Sequence, residues 1–220
     1  PAVLPSLISG LDDPRLDVRE YAQNIVVTLV RRVPGQPSTL FEVVQLFASS
    51  LPLRAHESLL EVLTNELADV SVPALLAGLE DAHLVNDVSE ALVRLARKRD
   101  WQRTVLTGLL DSLRREERRR GAETALIKTG ALAVQPVGEL ITDPDQAVAR
   151  VAQDVLRQIG APALPFIWAA HGDTSNRPRR DAAMGLFHSM PTDAIKDSLV
   201  ELLQGDQPED IAMAQALLLE

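Results

Sequence analysis

Small residues recur in this chain at a fixed interval, and that interval constrains the fold more than any other feature. Ala122, Ala152, Ala182 and Ala212 stand 30 residues apart. Four residues further on, Leu126, Leu156, Leu186 and Ala216 keep the same spacing, and so do Gly130, Gly160 and Met190. Asp13, Asp143 and Asp173 each precede Ala22, Ala152 and Ala182 by nine residues. Six residues before Asp13, Asp81, Asp143 and Asp173 stand Leu7, Leu75, Val137 and Ile167; Leu11, Leu79 and Ile141 stand two before the first three. A chain built this way repeats one small structural unit, and the unit must be read before anything else.

The unit reads as two helices. Around Asp143, VQPVGELI is a short apolar segment, Asp143-Pro144 a turn, and AVARVAQDVLRQIG a longer amphipathic helix. Asp followed by Pro reads as a helix start, with the carboxylate capping free N–H groups and Pro losing nothing by lacking one. Val148, Ala152, Val155, Leu156 and Ile159 form one helical stripe. Gly160 supplies a left-handed exit and Pro162 blocks continuation. The Ala column has a packing reason, since a small side chain lets two helices approach to roughly 8–10 Å between axes. The units run approximately 2–33, 36–67, 68–98, 99–130, 131–160, 161–190 and 191–220, with the second the most divergent because Ser49-Ser50 and Pro52 replace the Asp turn.

Composition agrees. Hydrophobic residues make up 46% of the chain but aromatics only 3%, so the core must be filled with Leu, Val, Ile and Ala, which suits close-packed helices. The expectation is an all-α protein: a right-handed α-solenoid of about seven antiparallel hairpins, forming one repeat domain over 1–220. No hairpin buries its apolar face alone, whereas a stacked row shares one core.

The Pro-led short helix, the Asp-Pro turn, the Val-x-x-x-Ala-x-x-x-Leu helix and the closing Gly160-Ala161-Pro162-Ala163 together resemble the HEAT-like repeat of phycobilin lyases and bacterial scaffold proteins. The period is shorter than the ~40–47 residues of longer HEAT repeats. The resemblance implies second helices lining a concave face and says little about function.

Chemistry is sparse. There are no cysteines, which removes disulfides and thiolate metal sites and fits a reducing cytoplasm. No apolar run approaches the ~20 residues of a membrane helix. The first residue is Pro rather than Met and the last helix, with Leu217, Leu218 and Leu219, lacks a polar cap. The expectation drawn is a piece of a longer chain, or an end that packs end to end on another copy. His56-Glu57 resembles the metal-holding His-Glu pairs of deoxyhypusine hydroxylase, but one pair offers too few ligands for a site. His171 reads as a hydrogen-bonded turn histidine, and Trp101 and Trp168 as core. No phosphate loop, nucleophile elbow or catalytic triad spacing is present, so no enzyme and no cofactor are expected.

Charge supplies the candidate site. The net charge of −9 argues against generic binding to nucleic acid or anionic membrane. Residues 94–120 nevertheless hold ten basic and four acidic side chains, +6, leaving −15 for the remainder. Seven acids and one lysine lie in 193–220. Arginines open the second helices: Arg118, then Arg19, Arg119 and Arg179, then Arg120, Arg150 and Arg180, at four, three and two residues before the Ala column. Two roles compete for them. They pair with turn aspartates, or Arg118, Arg119, Arg120, Arg150, Arg179 and Arg180 form a ladder for an acidic ligand. The leading function is a non-enzymatic protein-interaction scaffold with a protein or peptide partner; a nucleic-acid binder using 94–120 and a lyase-type subunit are the alternatives.

Overall fold

A computed structural model describes residues 4–32, 43–44, 51–204, 211–212 and 214–215. Among them every regular element is helical: α1 (Leu4–Leu11), α2 (Leu16–Arg32), α3 (Leu53–Glu61), α4 (Ala68–Gly78), α5 (Val85–Ala96), α6 (Arg99–Leu113), α7 (Glu116–Thr129), α8 (Ala131–Gly138), α9 (Gln146–Ile159), α10 (Leu164–Gly172), α11 (Arg177–Ser189) and α12 (Thr192–Gln204). The helices gather into two compact units, Pro1–Ala125 and Leu126–Glu220, and the boundary falls inside α7. The start of the second repeat, with Ser49-Ser50, and Leu217–Leu219 at the end lie outside the described residues.

Each unit is layered as an α-solenoid. In the second, α8 pairs with α9 and α10 with α11, while α8 also packs on α10 and α9 on α11, so like helices stack on like. In the first, α1 pairs with α2 and α4 with α5, and the first helix α4 packs on the next first helix, α6. The first-helix columns are core: Leu7, Leu75, Val137 and Ile167 are buried, as are Leu11, Leu79 and Ile141. On α9 the expected stripe Val148, Ala152, Val155 and Leu156 is buried throughout, with Ile159 half-buried. Gly130 and Gly160 end their helices with φ of 64° and 76°, a region costly for any side chain.

The turns depart from expectation in an instructive way. Asp13, Asp81, Asp143 and Asp173 do not cap the second helices. Each carboxylate accepts the backbone N–H two residues on, from Arg15, His83, Asp145 and Ser175, at 2.9, 2.9, 2.9 and 3.0 Å. This closes a small ring that turns the chain before the helix begins. The caps are the residues that follow: Asp145 accepts from the Ala147 N–H at 2.8 Å, and Asn176 from the Arg179 N–H at 3.1 Å.

Counting from those caps corrects the spacing of 30. Ala152 lies seven residues after Asp145, and seven after Asn176 lies Ala183, not Ala182. Accordingly Ala152 and Ala183 are both fully buried, while Ala182 is half-buried and Ala212 exposed. The path from Asp173 to its cap is one residue longer than that from Asp143, and α11 is shifted by one position throughout.

A second irregularity sits in the divergent repeat. After α3 the chain widens into a π-helical turn, Val62–Glu66, whose Leu67 N–H reaches back to the Val62 carbonyl at 2.9 Å. The carbonyls left over are taken by side chains: Ser71 Oγ donates to Leu63, Lys98 Nζ to Thr64 and Arg31 Nη2 to Glu66. These bonds satisfy groups that would otherwise be unpaired near the core.

Candidate functional site

The six arginines proposed as a ladder divide into engaged and unengaged groups. In the first unit, Arg118 Nη2 lies 2.6 Å from Glu80 Oε1, with the arginine side chain only 19% exposed. This ion pair ties the start of α7 to the end of α4. Arg119 Nε donates to the Leu113 carbonyl at 2.8 Å. Arg19 does the same at the equivalent place, its Nη1 donating to the carbonyls of Asp13 and Pro14 at 2.9 and 3.0 Å. In both cases the guanidinium reaches back six residues to a carbonyl at the turn, where the dipole of the first helix is negative. The partner of these arginines is therefore backbone rather than the turn carboxylate.

Arg120 is different. It is exposed and has no ion partner among the described residues. It lies on the rim of an open cleft of about 320 Å³ between α7 and the turn from α4 to α5. Leu79, Ala82 and Val85 supply apolar lining, and Glu80, Glu117 and Thr124 join Arg120 as polar groups. The cleft exists because Gly121 lets the two elements approach; a Cβ there would stand 2.4 Å from the Leu79 carbonyl oxygen.

In the second unit Arg150 is exposed on α9, again without an ion partner among the described residues. Arg180 Nε is 3.9 Å from Asp181 Oδ1. The one-residue shift of α11 takes Arg180 out of register with Arg150: counted from the caps, the counterpart of Arg150 is Asp181. Arg179 in turn takes the place that Val148 holds on α9, three residues after the cap. Val148 is fully buried, and Arg179 is drawn in likewise. Its guanidinium lies over the Phe166 ring at 5.2 Å from the centroid, and its Nε is buried without a hydrogen bond. The aromatic face compensates part of that loss through the ring quadrupole.

Two turn carboxylates are held below the ordinary carboxylate range. For Asp13 the main cause is the Arg15 side chain donating to it, and for Asp173 it is the Ser175 hydroxyl. The histidines also depart from expectation. His171 is half-buried with its ring stacked on Trp168, 6.0 Å between centroids, and its Nδ1 has no hydrogen-bond partner. His56 Nε2 lies 3.4 Å from Asp87 Oδ1, joining α3 to α5. Trp101 and Trp168 are half-buried rather than core. Among the described residues no group of three or more His, Asp or Glu could hold a metal ion, and no helix is long and apolar enough to cross a membrane.

Reasoning from repeat columns missed three exposed cations at the α5–α6 corner, Arg97, Arg99 and Arg103, none with an ion partner among the described residues. They lie in the basic run 94–120 but in no repeat column, and that run was the only signal for them.

No family model matches the chain, and no curated protein does. Among solved structures it is similar to a computationally designed armadillo repeat protein for modular peptide recognition, at 17% identity, with 98% of each chain covered and a TM-score of 0.31. It is also similar to the karyopherin Kap121p bound to Nup53p, at 16% identity and a TM-score of 0.35, covering 98% of this chain and 33% of that one. An engineered protein gives 15% identity, 88% and 96% coverage and a TM-score of 0.28. The solenoid assignment rests on the helices and their stacking described above.

Proposed function

We propose that this chain is a non-enzymatic interaction module of the HEAT-like kind, binding a segment of a partner protein on its helical surface. The observation that carries the reading is Arg120: an exposed, unpaired guanidinium on the rim of an open, partly apolar cleft in which Glu80 is already held by Arg118. A mixed cleft of this size suits a side chain or a short turn of peptide better than a small polar metabolite, which needs a more enclosed pocket. The segment is acidic where it meets Arg120 in the first unit, and Arg150 is a separate candidate contact on the second. Arg118, Arg119, Arg179 and Arg180 then act as framework, fixing the helix starts that present the other two. The setting is cytoplasmic, as a cysteine-free chain suggests.

The test is capture of partners by wild type and by an Arg120→Glu, Arg150→Glu variant, with melting temperatures measured beside it. Loss of a reproducible partner at unchanged melting temperature supports the reading. A variant that captures everything the wild type does refutes the role of these arginines. Arg119→Glu serves as the contrast, since it should unfold or loosen the first unit by freeing the Leu113 carbonyl.

A further inference from the structure

The turn between α5 and α6 concentrates charge. Residues 97–103 hold four basic side chains and one acid, Asp100. The structure divides the four. Lys98 turns inward, its Nζ donating to the Thr64 carbonyl at 2.7 Å and to Asn65 Oδ1, which pins the corner to the π-helical turn. Arg97, Arg99 and Arg103 are exposed, and among the described residues none makes a hydrogen bond or ion pair through its side chain. Arg94, one turn earlier, marks the edge of the patch, because Glu57 and Glu90 neutralise it at 3.1 and 3.0 Å.

The three free arginines are close together. Arg99 and Arg103 are one helical turn apart on α6, with Cβ atoms about 5–6 Å from each other. Arg97 is the C-terminal cap of α5, two residues before Arg99. Three guanidinium groups this near one another repel, and among the described residues none of them caps a carbonyl or joins two helices by an ion pair.

We propose that this corner docks a short acidic segment of a partner protein, its carboxylates paired with Arg97, Arg99 and Arg103. The proposal rests on the interaction-module reading but on none of the residues that reading uses. Guanidinium forks match carboxylates with two parallel hydrogen bonds, and a corner already pinned by Lys98 loses little freedom when it binds. A polypeptide fits better than a nucleic acid. Nucleic-acid affinity grows with the number of phosphates neutralised, and the nearest cations in the chain, Arg94 and Lys98, are already engaged by Glu57, Glu90 and the Thr64 carbonyl. An acidic peptide ends where the patch ends.

The test is fluorescence anisotropy with a labelled hexaglutamate peptide, beside a serine peptide of equal length and a short oligothymidylate. Hexaglutamate should bind the wild-type chain and weaken with added salt. Reversing all three arginines to Glu should lower its affinity by about tenfold or more, the ordinary worth of an exposed ion pair compounded over three. The melting temperature should not move, and the triple reversal should cost the same factor when it is made in an Arg120→Ser background. A triple Arg→Ser variant should give the same loss without charge reversal. Equal binding by wild type and either triple variant overturns the proposal, as does unfolding of both. So does an oligothymidylate that binds more tightly through the same three residues. If partner capture through Arg120 persists while hexaglutamate ignores the corner, this inference fails and the broader reading stands.

Discussion

The hairpins α8–α9 and α10–α11 stand side by side in one unit and obey the same plan, yet their second helices begin differently. In the first, Asp143-Pro144-Asp145 turns the chain and Asp145 caps α9. In the second, Asp173-Thr174-Ser175-Asn176 does the same with one residue more, and Asn176 caps α11. The pair Asp13 and Asp81 repeats the contrast. Asp13 is followed by Pro14 and stands nine residues before buried Ala22; Asp81 is followed by Ala82 and stands ten before buried Ala91. Where Pro follows the Asp, the turn is one residue shorter and the fixed φ of the ring lies within it, before the cap. Without it the turn takes one more residue, and every side chain on the helix moves by one position, about 100° around its axis. A solenoid tolerates this because the cap, not the Asp, sets the register of what is buried.

The largest effect should come from filling the tight contacts. Ala152→Leu and Ala183→Leu are each expected to cost roughly 1–3 kcal/mol, since both sites are closed to solvent and additional methylenes must displace neighbours. Ala182→Leu should cost far less, because Ala182 is half-exposed in the shifted register. Thermal or denaturant unfolding of the three variants measures this directly. If Ala182→Leu proves as damaging as Ala152→Leu, the shift of α11 is wrong and the spacing of 30 holds after all.

Next come the caps. Asp145→Ala and Asn176→Ala should each destabilise by about 1 kcal/mol, with smaller losses for Asp143→Asn and Asp173→Asn, which keep the acceptor of the turn. Equal losses at Asp143 and Asp145 would blur the distinction between turn and cap. A further, smaller effect is expected at Arg179. It occupies the place of Val148 with a buried Nε unpaired, so Arg179→Met should change stability by less than about 1 kcal/mol in either direction. A large loss would show that its contact with Phe166 matters more than the desolvated guanidinium suggests.

Much of the fold was legible because it rests on columns of apolar residues, and columns survive a shift of one. Leu7, Leu75, Val137 and Ile167 were found as one column from spacing alone, and all four are buried. The register of α11 was not, although the missing Pro after Asp81 and Asp173 was a signal in plain view. The candidate site was legible in part. That arginines open the second helices is a matter of sequence; where they point is not. Arg19 and Arg119 reach backbone carbonyls, and every residue has a carbonyl, so no residue type announces such a partner. Arg179 is turned inward by the length of a turn rather than by its own chemistry. Arg97, Arg99 and Arg103 were visible in the basic run 94–120 but were not singled out from it, because repeat alignment favours what recurs, and a corner used once does not.

The smallest expected effect sharpens the contrast between the turns through their protons. Asp13, in a short turn, is held below the ordinary carboxylate range chiefly by the Arg15 side chain; Asp173, in a long one, chiefly by the Ser175 hydroxyl. A carboxylate whose pKa is lowered by folding binds its proton more weakly in the folded chain than in the unfolded one. Its stabilising contribution is complete above the unfolded value of about 4 and is lost as pH falls through the lower folded value. The melting temperatures of wild type and Asp173→Asn should therefore differ at neutral pH and converge on the acid side, and so should those of wild type and Asp13→Asn. Salt separates the two. Arg15 is a cation at an exposed site, so the Asp13 difference should shrink as ionic strength rises. Ser175 is neutral and the charge of Arg179 ranks below it among the causes, so the Asp173 difference should respond less. Two differences that fall together with salt would mean that both turns are charge-stabilised, and that the short and long forms differ in register alone.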